Sequence, residues 1–106
     1  MTQVDLLIFK LLILQVLQMN QYNAVMAMDI EIRYFAAARA AAGVSVERVN
    51  PASLSMILTQ VTASNPALAH VIDQCSFLVD SVAVNDMDMP VHAGSFIDVL
   101  PRFAGG

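Results

Sequence analysis

The sequence predicts an α+β domain, a small mixed sheet crossed by one main helix. Three observations predict it. Several short runs alternate apolar and polar residues and end in turn residues; one run between them repeats at helical spacing; and hydrophobic residues make up 58% of 106 positions against 13% charged. The length fits one domain and the balance excludes disorder.

Ile30, Ile32 and Tyr34 alternate with Glu31 and Arg33, the period of a half-buried strand that Phe35 ends. Ala36 to Ala42 reads as a short helical turn stopped by Gly43. Val44, Val46 and Val49 predict a second strand running to about Asn50, in a hairpin with the first. Pro51 breaks the pattern, and Ser53 can cap a helix whose apolar face is Leu54, Ile57, Leu58 and Val61. Asn65-Pro66 punctuates, and Ala67 to Ile72 forms a further helical piece. Phe77 to Val84 predicts a third strand with a break near Ser81. Asn85-Asp86 and Ala93-Gly94-Ser95 are turns, and Phe96 to Leu100 is the last strand, halted by Pro101. A helix crossing strands in this order buries two apolar faces with one core. That is the β-grasp arrangement, the one ubiquitin has.

Two segments follow: an apolar leader, residues 1–27, and a body, residues 28–106. From Val4 to Leu17, eleven of fourteen residues are apolar. Fourteen helical residues reach only ~21 Å, short of a membrane span. Val25-Met26-Ala27 suits an export cleavage site, but the run follows Asp5 rather than a basic stretch. As a helix it would show Gln3, Lys10 and Gln18 on a rough polar side and pack on the body or on a second copy. As a dispensable leader it has no part in the chemistry, and Met28 would make a sensible start.

The net charge of −4 argues against nucleic acid, which needs a basic patch. One cysteine excludes a disulfide framework and fits a reducing compartment. The body contains no lysine, so no amine there serves as base or nucleophile.

The strongest signal is the ending, Leu100-Pro101-Arg102-Phe103-Ala104-Gly105-Gly106. From Pro101 an extended tail carries the terminal carboxylate ~17 Å from the domain. Glycines lack a Cβ, so the last two residues can thread a narrow channel. Such an unhindered carboxylate can be activated by ATP as an acyl adenylate and attacked by a sulfur donor to give a thiocarboxylate. Alternation predicts Ile97 and Val99 inward and Asp98 and Leu100 outward. Leu100, then, is an exposed apolar residue beside the tail, with Phe103 further along. Rimmed by acidic groups, the pair suits a partner with an apolar groove and a basic entrance.

Tyr34-Phe35-Ala36-Ala37-Ala38-Arg39, followed by Gly43, resembles the F-A-x-x-R…G opening of the molybdopterin synthase small subunits. Val82-Ala83-Val84-Asn85 resembles that family's strand and turn before its last hairpin, and Pro101 with Gly105-Gly106 resembles its P-P-x-x-G-G ending. The resemblance covers about Asp29 to Gly106. It implies a cytoplasmic, ubiquitin-like sulfur carrier whose chemistry lies at Gly106 and Gly105. A ubiquitin-activating-like adenylyltransferase would adenylate Gly106, and a sulfur donor would convert it to the thiocarboxylate. Two loaded subunits would bind a large-subunit dimer as a heterotetramer and pass sulfur to cyclic pyranopterin monophosphate. The catalytic lysines would lie on the large subunit. The carrier itself would bind no cofactor or metal, ATP being used by the activating partner. Leu100 matches the family's apolar interface residue, so Leu100, Pro101, Arg102, Phe103 and Ala104 are the expected partner-binding residues. Carriers for thiamine thiazole or cysteine biosynthesis, and ubiquitin-like protein modifiers, share the tail.

The chain also departs from the family pattern. Arg102 replaces a second proline, which predicts a less stiff tail. Gly94-Ser95-Phe96 alters the last turn and predicts an exposed Phe96, and residues 1–27 have no counterpart. Of the remaining residues, Arg39 is expected in an ion pair and Cys75 as a small hydrophobic filler. His70 and His92 are expected at the surface, Met56, Met87 and Met89 in packing or loops, and Asp86 and Asp88 in a solvated turn.

Overall fold

The computed structural model describes residues 3–27 and 29–102. After helix α1 (Gln3–Ala27) the order is β1 (Ile30–Tyr34), α2 (Ala36–Ala42), β2 (Val46–Val49), β3 (Ala52–Ser53), α3 (Leu54–Thr62) and α4 (Pro66–Ile72). Then come β4 (Cys75–Val79), β5 (Val82–Ala83), β6 (Pro90–Val91) and β7 (Phe96–Pro101). Five strands form one sheet in the order β2-β1-β7-β4-β5, and β3 pairs with β6 in a separate ribbon. β7 lies in the middle, parallel to β1 and antiparallel to β4. This is the ubiquitin-like β-grasp fold.

Alternation decides the two faces of the sheet. Ile30, Ile32 and Tyr34 of β1, Ile97 and Val99 of β7, and Cys75, Phe77 and Val79 of β4 point to the core. There they meet Leu54, Ile57 and Leu58 of α3 and Leu68 and Ile72 of α4. Val61 completes the α3 stripe half-buried. The Ser53 hydroxyl accepts the Met56 N–H at 3.2 Å and caps α3. The Asn65 side chain caps α4 by accepting the Leu68 N–H at 3.1 Å, and its amide donates to the Ala41 carbonyl at 2.9 Å, joining α4 to the end of α2.

Three local expectations need correction. The break near Ser81 is a full reversal. Asp80 and Ser81 adopt φ of 50° and 69°, a hairpin turn that splits the expected strand into β4 and β5. The last strand runs through Pro101 rather than stopping before it. The β1 side of the ladder ends where the Phe35 N–H meets the Val99 carbonyl at 3.2 Å, so Pro101 withholds no donor that β1 needs. The second strand begins at Val46, after Gly43 has ended α2 at φ 78°.

The leader is helical over Gln3–Ala27, but its described side chains do not pack on the body. Its large apolar residues from Leu6 to Leu17 are all 44–60% exposed. Of the polar side expected from Gln3, Lys10 and Gln18, Lys10 is exposed, and the side chains of Gln3 and Gln18 lie outside the described residues. Among the described residues, no helix is long and apolar enough to cross a membrane.

Candidate functional site

Among the described residues no helix packs on the sheet's second face, and β7 carries that face directly to the root of the tail. Register places its side chains in rows. Val46, Arg33, Asp98, Leu78 and Ala83 lie side by side across the five strands. On one side of that row, Arg48, Glu31 and Phe96 form a second. On the other, Leu100 pairs with Ser76. The Phe35 N–H bond to Val99 extends the β1 register, so Phe35 stands beside Leu100. Phe35 and Val46 are exposed, and Leu78 and Leu100 are half-buried. The result is a broken apolar surface at the tail end of the sheet.

A charged pair occupies its middle. Arg33 Nε and Nη2 donate to the two carboxylate oxygens of Asp98 at 2.5 and 2.9 Å. The guanidinium lies 4.2 Å over the Phe96 ring. Asp98 is only 7% exposed on a face with no covering element, because Arg33 covers it. The hydrogen bond from Arg33 to Asp98 holds the guanidinium pKa above its ordinary value. At the far end, Arg48 and Glu31 form a looser pair at 3.9 Å. On the core side, burial pushes the Tyr34 phenol well above its usual range, helped by the 2.6 Å bond its hydroxyl donates to Glu47.

The root of the tail is clamped. The Arg102 N–H donates to the Gln74 carbonyl at 2.9 Å. Its side chain donates to the Ser76 hydroxyl at 3.3 Å and to the Cys75 carbonyl at 3.4 Å. Two clefts, of about 480 and 310 Å³, meet at Cys75, Phe77, Met87 and Arg102. Neither presents a reactive thiol, because that of Cys75 is buried, donates to the Val71 carbonyl at 3.2 Å, and has its pKa pushed up by that burial.

β7 thus ends in a clamped root flanked by apolar residues, and the sequence continues from there to Gly105-Gly106. The molybdopterin synthase sulfur carrier subunit of Chlamydomonas reinhardtii is 31% identical over 83 residues, 74% of this chain and all of that protein. The chain belongs to the molybdopterin synthase sulfur carrier family. No family model matches it. Solved structures that share the fold include the following two. The small archaeal modifier protein 1 of Methanosarcina acetivorans superposes with a TM-score of 0.63 at 20% identity, over 73% of this chain and 95% of that one. In the complex of subunits 1 and 2 of molybdopterin-converting factor from Helicobacter pylori, the matching chain gives 0.57 at 17% identity, over 73% and 97%.

Of the site residues expected in this sulfur carrier, Leu100, Pro101 and Arg102 come together at the tail root. Phe103, Ala104, Gly105 and Gly106 lie outside the described residues. Leu100 is half-buried rather than exposed, since Phe35 and Ser76 flank it. Phe96 is likewise half-buried, under Arg33. Arg102 is tied to β4, so the missing proline does not loosen the tail at that residue. Arg39 has no ion pair among the described residues and is exposed. His70, His92, Asp86 and Asp88 are exposed, Met56 is exposed, and Met87 and Met89 pack half-buried against the core. Local sequence pattern places neither Phe35, Val46 and Leu78 together on this face nor Arg33 opposite Asp98. The available signal was parity, because Arg33 and Asp98 both occupy outward positions of alternating strands.

Proposed function

We propose that the chain is the sulfur-donating small subunit of molybdopterin synthase, with the Gly106 carboxylate as its working group. The observation that carries this reading is the continuity of β7. One central strand supplies the core, the exposed face and the root of a Gly-Gly tail in a chain of the sulfur carrier family. In the first step the carboxylate attacks the α-phosphorus of ATP on an adenylyltransferase, and pyrophosphate leaves. A sulfur donor then displaces AMP, leaving the thiocarboxylate. The sheet face bearing Phe35, Leu78 and Leu100 docks on the large subunit, whose residues act on cyclic pyranopterin monophosphate while the tail delivers sulfur. The lysine-free body fits a division of labour in which base chemistry belongs to the partner.

Intact-mass measurement after incubation with ATP, an activating enzyme and a sulfur donor tests the chemistry. The expected result is replacement of one oxygen by sulfur. A folded chain that stays unchanged while a known carrier is loaded in parallel refutes it. The likeness to a small archaeal modifier favours a second reading, conjugation of Gly106 to lysines of other proteins. That reading predicts higher-mass adducts in cell extract that disappear when Gly106 is deleted.

A further inference from the structure

We infer that the Arg33–Asp98 pair is a recognition element at the centre of the docking face, completed on binding by a neutral carbonyl oxygen of the molybdopterin synthase large subunit. The inference rests on the proposed docking of that subunit. Arg33 spends two of its nitrogens on Asp98. Its third, Nη1, faces no acceptor among the described residues, and no side-chain polar atom buried among them lacks a partner, so Nη1 is open to water. The pair's own row holds Val46, Leu78 and Ala83, and Phe96 lies beneath the guanidinium. A partner covering those apolar groups also covers Nη1 and strips its water. A buried N–H without an acceptor is unfavourable, so a fitting partner must supply one.

Charge decides which kind. Arg33 and Asp98 sum to zero, with Asp98 already nearly inaccessible. A second carboxylate would bring an uncompensated negative charge into a drying interface and sit close to Asp98. A backbone or side-chain amide carbonyl satisfies Nη1 with no added charge. The pair therefore rejects a purely apolar partner surface, which would leave Nη1 unsatisfied, and an acidic one, which would crowd Asp98. A face with apolar residues at both positions would make neither distinction.

The test measures binding of the full chain to its large subunit by titration calorimetry, with melting temperature as the folding control. Replacing both residues, Arg33→Leu with Asp98→Leu, removes the pair without stranding a charge. Binding about tenfold weaker than wild type is expected, because the partner's carbonyl is left buried and unpaired. Arg33→Leu alone should bind more weakly still, since Asp98 then enters the interface unpaired. The tenfold gap should persist as salt rises from about 0.05 to about 0.5 M, because a neutral acceptor is not screened as an ion is. A double variant that binds as tightly as wild type overturns the inference, and a gap that closes with salt overturns the neutral acceptor. If the double variant does not fold, Arg33→Lys carries the test: it keeps a cation beside Asp98 but loses the planar fork, and binding within twofold of wild type overturns the inference. Failure of the folded wild-type chain to bind the large subunit overturns the docking reading itself, a different result from equal binding by the variants.

Discussion

Truncating Phe35 should weaken docking while leaving the fold in place. Phe35 is 40% exposed beside Leu100. An aromatic side chain can bury roughly 200 Å² in full, so about 80 Å² of Phe35 is left for a partner to cover. At about 25 cal/mol per Å² that area contributes about 2 kcal/mol to association. The Phe35→Ala change should therefore raise the dissociation constant for the large subunit about 30-fold. Met56→Ala is the matched control. Met56 is 57% exposed on α3, and α3 packs on the opposite face of the sheet. Titration calorimetry with each variant, at matched folding by circular dichroism, reads the difference. If Phe35→Ala binds within twofold of wild type, or Met56→Ala loses as much, the sheet face is not where the large subunit sits.

Deleting Gly106, or adding one residue after it, should abolish sulfur loading in the intact-mass assay with no shift in melting temperature. Removing residues 1–27 should leave loading and the body's melting temperature unchanged, since the described apolar side chains of α1 touch none of the core. Ile97→Ala, at a fully buried site in the central strand, should cost about 2–5 kcal/mol by chemical denaturation. Tyr34→Phe should cost about 1–2 kcal/mol at neutral pH by losing the bond to Glu47. The pH dependence has a definite sign. The folded phenol's pKa is raised, so its contribution is complete below the unfolded value of about 10 and is lost as pH rises above it. Denaturation profiles of wild type and Tyr34→Phe should converge in that alkaline range and run parallel below it.

Much of the fold was legible because its signals are local. The alternation of Ile30, Ile32 and Tyr34, the Ser53 cap, the Asn65-Pro66 start and the Gly43 stop each depend on residues within one turn or strand. The reversal at Asp80-Ser81 was seen only as a break, since neither residue is the glycine that left-handed backbone usually requires. Asp80 compensates by accepting the Phe96 N–H at 3.0 Å and the Ser95 hydroxyl at 2.8 Å, contacts made 15 or 16 residues away. The candidate site was legible only at its chain end. Arg33 and Asp98 are 65 residues apart, and their pairing depends on the register of β1 against β7, which no local pattern encodes.

The Arg102 clamp changes what the tail can do. A tail counted from Pro101 sweeps five residue steps; counted from Arg102 it sweeps four, ~14 Å at full extension. The root is held on one side: β7 is paired with β1 as far as Val99, and beyond it the β4 ladder continues through Pro101 and the Arg102 N–H to Gln74. Phe35 and Leu100 lie at that same end of the sheet. In the proposed docking, contact through them would fix the position of Arg102 against the partner, leaving the four residues after it to span the distance to the reacting centre. On that reading a short, defined reach would make the encounter nearly intramolecular and favour transfer more than a long loose arm would. Where the family pattern has a second proline, this chain thus has a cationic side chain tied to β4.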